Sequence, residues 1–222
     1  ASLLFGYVGN FIYDGDAPLA ERRAAALSID QSQLRELLGE ADLRELLDPI
    51  AITEVEAQLQ LLGESQRIRS ADGLHDLLLR LGDLSRDDLA RRLASPDLLR
   101  SLAPLQRAGR ILHLRIAGRP RFIAVEDAAR YRDALHIKPP AGLPKSLLLP
   151  VAAPVLELVR RYARTHGPFT LHEAAVRFGF EGAPVEAALH ALVRDGRILE
   201  GGFRPGRADD AALVEECDRC AG

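Results

Sequence analysis

The sequence predicts a mainly α-helical chain with small β wings, organised as tandem copies of one unit. Three observations predict it. Leu and Ala carry a composition that is 47% hydrophobic but only 5% aromatic, with no Trp and no Met, and both are strong helix formers. Most apolar residues recur at helical spacing. One junction occurs twice, Leu105-Gln-Arg-Ala-Gly-Arg-Ile-Leu112 and Leu192-Val-Arg-Asp-Gly-Arg-Ile-Leu199, and an internal repeat of this kind fixes architecture.

Residues 1–70 read as an N-terminal helical domain. Residues 1–13 are an apolar, helical stretch, and Asp14-Gly-Asp-Ala-Pro18 is a turn with Asp16 as N-cap and Pro18 near the first helical position. A helix spans 19–26, and two short ones span 31–39 and 41–48, broken at Gly39 and at Asp48-Pro49. Thr53 and Glu56 have capping-box spacing. The stripe Val55, Leu59, Leu62 follows, ended by Gly63.

Residues 71–138 form a first module. Leu74, Leu77, Leu78 and Leu81 line one helical face, and Ser85 with Asp88 caps a second helix bearing Leu89 and Leu93. A third helix starts at Pro96 and closes at Gly109. Ile111, Leu112, Leu114 and Ile116 then face Phe122, Ile123 and Val125 around Ala117-Gly-Arg-Pro120, the pattern of a β-hairpin. A helix from Glu126 to Leu135 completes the module. Residues 139–150 are a Pro-rich linker.

Residues 151–207 repeat the pattern. Val155, Leu158, Val159 and Tyr162 mark a first helix, and Thr170 with Glu173 caps a second. Pro184 opens a third, which carries Leu189 and Leu192 and closes at Gly196. Arg197-Ile-Leu enters a strand, with Gly201 to Pro205 as the turn or return strand. Residues 208–222 form a tail.

Two helices joined by a short capped turn make a helix-turn-helix. A third helix that ends on a Gly suited to positive φ, followed by a strand whose Ile-Leu pair covers the bundle, makes a winged helix. The chain is therefore read as tandem winged-helix modules.

The bulk properties bound the function. A length of 222 residues allows one large or two small domains, and a net charge of −3 does not announce nucleic acid. Arg greatly exceeds Lys, which occurs only as Lys138 and Lys145; Arg suits bidentate phosphate contacts, and a GC-rich genome gives the same bias. Cys217 and Cys220 form a C-x-x-C without two further zinc ligands or a redox context. His166 and His172 flank a turn without metal-ligand spacing and fit capping or surface roles. No metal and no cofactor is expected. No apolar run approaches the ~20 residues of a membrane span, and no G-x-x-x-x-G-K-[ST] loop is present. The chain opens inside an apolar run without Met, as a piece of a longer protein would.

The strings Arg160-Arg-Tyr-Ala-Arg-Thr-His-Gly-Pro-Phe-Thr170, Gly202-Phe-Arg-Pro-Gly206 and Phe11-Ile-Tyr-Asp-Gly-Asp-Ala-Pro-Leu-Ala-Glu-Arg-Arg-Ala-Ala-Ala-Leu27 resemble the C-terminal region of the bacterial large helicase-related (Lhr) proteins, in the same order. The resemblance covers most of 1–206 and leaves out 208–222. It implies a fragment of a superfamily 2 ATP-dependent DNA helicase of the bacterial cytoplasm, connected with DNA repair, with winged helices lying beyond the ATPase core. Some members have uracil-DNA glycosylase activity in the C-terminal region; no glycosylase motif is legible in this chain.

A winged helix offers its third helix to the major groove and its wing to the backbone. The first wing is the stronger candidate, with Arg115, Arg119 and Arg121 about its tip and Arg110 at its base. Arg119 and Arg121 share a hairpin face. The second module offers Arg160, Arg161 and Arg164 on the exposed side of its first helix, with Arg194, Arg197, Arg204 and Arg207 beyond. Its third helix is led by Glu181 and Glu186, and the first module's by Pro96 and Asp97 with Arg100; acid at those points repels phosphate. Three readings follow. One is DNA binding largely without sequence specificity, to single- or double-stranded DNA. The second is scaffolding, in which the modules build a homo-oligomer or dock on the rest of the helicase. The third is part of a base-excision site, for which Asp14 and Asp16 beside Tyr13 are the available carboxylates, although turn chemistry explains both.

Overall fold

The computed structural model describes residues 48–201, residue 203 and the backbone of 212–215. The expected helices of 1–47, the Asp14–Pro18 turn, Cys217, Cys220, Arg204 and Arg207 lie outside the described residues.

Helix α1 spans Pro49–Leu59. Asp48 is its N-cap, accepting from the Ile50 amide at 2.8 Å, and Pro49 takes the first position, where a missing N–H costs nothing. The expected start at Thr53 is thus corrected. Thr53 lies inside the helix, with its hydroxyl donating to the Pro49 carbonyl at 2.9 Å. The helix also ends before Gly63, at Gln60, and Leu61 turns the chain with φ 54°.

In the first module, α2 (Ala71–Leu81) is capped by Ser70 and buries the expected Leu74, Leu77, Leu78 and Leu81. Helix α3 (Arg86–Ala90) carries the Ser85/Asp88 capping box in both directions. The third helix differs from the expectation. Pro96–Ser101 is a 3-10 helix and α4 covers only Leu102–Arg107. Pro104 has no N–H for the Arg100 carbonyl, so the α-helical ladder starts beyond that point. Strands β1 (Ile111–Ile116) and β2 (Arg119–Ala124) pair antiparallel with Ile116 opposite Arg119. Their two-residue turn is Ala117-Gly118, with φ 48° and 74°, the two positive values of a type I′ hairpin. Leu84 bridges the outer edge of β2, exchanging backbone bonds of 3.0 and 2.8 Å with Phe122. A 3-10 turn, Val125–Asp127, leads into α5 (Ala128–Leu135).

The second module repeats the plan with α6 (Pro154–Thr165), α7 (Leu171–Phe178) and α8 (Ala183–Arg194). Thr170 and Glu173 form the expected capping box. Strand β3 (Ile198–Gly201) pairs antiparallel with β4 (Ala212–Glu215). The return strand thus falls within 208–222, the segment expected as a tail, and of the two readings of Gly201 to Pro205, turn or return strand, it is not the strand that pairs with β3.

Each module has its own core. Leu74, Leu78, Leu89 and Ile111 anchor the first; Val159, Ala174, Val185 and Ile198 anchor the second. A third cluster joins them: Leu112, Leu114, Ile116 and Ile123 of the wing and Tyr131 of α5 pack with Leu158 of α6 and Phe178 of α7. The linker contributes Leu143, Leu147 and Leu148 to the same cluster. The two modules thus share buried surface, and the first wing is the wall between them.

Candidate nucleic-acid interface

The hairpin register assigns every wing residue to a face. Leu112 with Ile123, Leu114 with Arg121 and Ile116 with Arg119 share one face; Ile111 with Ala124, His113 with Phe122 and Arg115 with Pro120 share the other. The expectation that Arg119 and Arg121 lie together is correct, but theirs is the inner face. Arg121 is consequently buried, its Nε 3.4 Å from Asp83 and its Nη1 3.7 Å from Asp88. Burial, reinforced by neighbouring Arg177, pushes its guanidinium pKa down against the pull of the two aspartates. Its guanidinium thus points inward to the aspartates and not to solvent at the tip. Arg119, at the end of the strand, remains exposed.

Arg115 is exposed and its Nη2 donates to the Gly118 carbonyl at 3.0 Å, which holds the guanidinium beside the turn. Arg110 at the wing base is half-buried and paired with Asp72, with a second nitrogen 3.2 Å from His75 Nδ1. The Arg110 hydrogen bond lowers the Asp72 pKa. The tip is not free in space either: a Cβ on Gly179, after α7, would stand 3.2 Å from the Ala117 Cα. The wing is thus packed against the second module at its tip and exposes His113, Arg115, Gly118, Arg119 and Pro120.

On α6, Arg160 and Arg164 face solvent as expected, Arg160 lying 3.8 Å from Glu157. Arg161 does not, and that expectation is corrected. The helix packs on two partners, its own module through Val159 and Ala163 and the first module through Leu158 and Arg161, so its buried arc is wider than one stripe. Arg161 is buried and ion-paired to Asp127, with a long bond of 3.5 Å to the Leu79 carbonyl. Burial alone would lower its pKa; the bond to Asp127 reverses the direction and raises it. Arg197 is exposed. Glu181 and Glu186 are exposed at the entry to α8, and Asp97 sits 3.3 Å from Arg100 in the first module.

Two arrangements were not foreseen in the sequence. The first is a buried polar junction. Asp83 accepts from Tyr131 Oη at 2.8 Å and from Arg177 Nη1, and Arg177 Nη2 donates to the Asp83 carbonyl at 2.5 Å. Tyr131 Oη accepts in turn from the Asp83 amide at 2.9 Å, and burial raises its pKa well above the ordinary phenol range. Asp88 is drawn down to about 2: burial opposes ionisation, and the Ser85 hydrogen bonds and Arg91 outweigh it. The second is a ring pair on the outer wing face, His113 stacked on Phe122 with centroids 4.8 Å apart and planes 27° apart. Hairpin alternation would have paired these two once the turn was fixed at Ala117-Gly118.

Two helix-turn-helix bundles, each closed by a β hairpin or strand pair after the third helix, define a tandem winged-helix protein. Among the described residues no helix is long and apolar enough to cross a membrane. A profile described as "Large helicase-related protein, winged-helix domain" matches residues 45–150. The chain belongs to the C-terminal region of the Lhr family. It is 43% identical over 218 residues to a Mycolicibacterium smegmatis protein named "Lhr helicase/ probable uracil glycosylase", covering 98% of this chain and 14% of that protein. It is 43% identical over 200 residues to the Escherichia coli "Lhr helicase/uracil glycosylase", covering 89% of this chain and 13% of that protein. The chain thus spans only a small part of the length of these relatives.

Proposed function

We propose that this chain is a non-catalytic winged-helix segment of an Lhr-type cytoplasmic DNA helicase, and that it binds DNA largely without sequence specificity in DNA repair. The observation that carries this reading is the first wing: Arg115 and Arg119 stand exposed on a hairpin held between two modules. A cation held beside the turn, as Arg115 is by the Gly118 carbonyl, meets a phosphate with less loss of side-chain freedom than an untethered one. Exposed Arg160, Arg164 and Arg197 of the second module add to the positive field. Acid at the entries of both third helices disfavours base readout there.

Fluorescence anisotropy of labelled single- and double-stranded DNA over a salt series tests the reading. Affinity falls with salt in the wild type, and Arg115→Ala/Arg119→Ala reduces the slope of log K against log salt by about 2. No binding at low salt by a folded, monodisperse chain overturns it.

A second reading, scaffolding, is favoured by the shared core, which makes the two modules one rigid spacer suited to docking on the rest of the helicase or on a second copy. A third, participation in base excision, rests on the relatives' names; Asp14 and Asp16, the carboxylates considered for it, lie outside the described residues.

A further inference from the structure

The outer face of the first wing carries more than charge. His113 lies directly across the hairpin from Phe122, and its imidazole is stacked on the phenyl ring. Phe122 is partly buried against the first core, and its backbone is bonded to Leu84 on the far side from His113. The imidazole is therefore backed by an anchored aromatic ring, while His113 itself is exposed. One stride along the same face stand Arg115 and its cross-strand neighbour Pro120, both exposed. Residues two apart on a strand are separated by about 6.6 Å, the scale of one nucleotide step in an extended single strand. Arg115 is in turn held to the Gly118 carbonyl.

We infer that His113, backed by Phe122, is a stacking platform for an unpaired nucleobase, with Arg115 receiving the adjacent phosphate, so that this wing selects single-stranded over duplex DNA. The physical basis is preorganisation. An exposed aromatic ring that already rests on another loses little freedom when a base covers its open face. Every base has a π face, so the contact is sequence-tolerant, as stacking platforms for single strands are. A paired base keeps its faces inside the duplex and offers nothing to the ring. The two functions separate on the hairpin: stacking by His113, charge by Arg115 and Arg119. This inference rests on the DNA-binding reading given above and adds the strand preference and the residue that confers it.

The test uses the full chain and a fluorescein-labelled mixed-sequence oligonucleotide, single-stranded or annealed to its complement. Wild type, His113→Ala and His113→Trp are compared by anisotropy over a salt series. The expected result is a loss of about tenfold on the single strand for His113→Ala, an unchanged salt slope, little change on the duplex, and recovery in His113→Trp. A 2-aminopurine placed in the single strand is quenched by stacking on the wild type and on His113→Trp, and less so on His113→Ala. Circular dichroism checks that the exposed substitutions leave the fold intact. Equal single-strand affinity and equal quenching for wild type and His113→Ala overturn this inference while salt-dependent DNA binding persists. Absence of binding to either probe overturns both this inference and the reading beneath it.

Discussion

Ala117, at the turn of the first wing, lies against Gly179, the left-handed residue that ends α7 of the second module: a Cβ on Gly179 would come within 3.2 Å of both the Cα and Cβ of Ala117. Gly109 offers a control, because its φ of 68° is close to the 75° of Gly179 yet nothing lies within 4 Å of its Cβ position. An L-residue in this region costs about 1 kcal/mol from backbone sterics alone. Gly109→Ala is expected to cost about that much, and Gly179→Ala about 2–3 kcal/mol, since backbone as well as side chain of Ala117 must give way. Urea unfolding of the two variants checks this, and equal costs would show that the wing tip does not press on the second module.

The Asp83–Arg177 contact gives a second prediction. Asp83 is buried between the modules with two cations, Arg177 and Arg121, and the Tyr131 hydroxyl. Removing one partner of a buried pair leaves a poorly compensated charge, at a cost of about 3–5 kcal/mol. Arg177→Ala is expected at the lower end, because Arg121 stays 3.4 Å away. Asp83→Ala is expected to cost more, since it removes the carboxylate that Arg121, Arg177 and the Tyr131 hydroxyl share, leaving Arg177 only the backbone carbonyl of that residue and Arg121 the more distant Asp88. Thermal unfolding in which Arg177→Ala is neutral would mean that the junction does not hold the modules together.

What was legible in the sequence followed local rules. The capping boxes at Ser85 and Thr170, the stripe Leu74, Leu77, Leu78, Leu81 and the hairpin after Gly109 depend on neighbours in the chain, and the structure has them all. What was missed depended on packing between modules. Arg161 sits beside exposed Arg160 in sequence, and nothing local reveals that α6 buries a second arc against Asp127. Arg121 alternates with apolar residues in a way that fits either hairpin face until the partner of that face is known. Asp48-Pro49 looked like a break because Pro ends helices, while the same pair also opens one.

His166 makes stability depend on pH. Its ring stacks on Tyr162 with centroids 3.8 Å apart, and Nδ1 donates to the Tyr162 carbonyl at 2.9 Å. Burial is the main cause that lowers its pKa from 6.5 to about 4, with Arg177 and Arg92 adding to it and the Tyr162 carbonyl opposing. The folded state thus holds the neutral ring while the unfolded chain protonates near 6.5. Stability from this group is intact above that pH and declines as pH falls toward 4, by on the order of 3 kcal/mol in all. His166→Phe keeps the stacking but cannot titrate, so its urea midpoint should fall less than the wild type's between pH 7 and pH 4.5. Parallel declines would place the pH dependence elsewhere.

The burial of Arg121 and Arg161 separates charge that supports the fold from charge that can meet DNA. Both arginines are held by aspartates and shielded from solvent, whereas Arg115 and Arg119 stand on the surface. Counterions are released only where a cation reaches a phosphate. Arg121→Gln and Arg161→Gln are therefore expected to lower the unfolding midpoint and to leave the salt slope of DNA binding as in the wild type, measured below the temperature at which they unfold. Arg115→Gln and Arg119→Gln are expected to do the reverse, each reducing the slope by about 1 with unfolding unchanged within ~0.5 kcal/mol. A slope that falls on changing Arg121 in a chain still folded would mean that the wing lifts from the second module to bind, exposing its inner face to the phosphates.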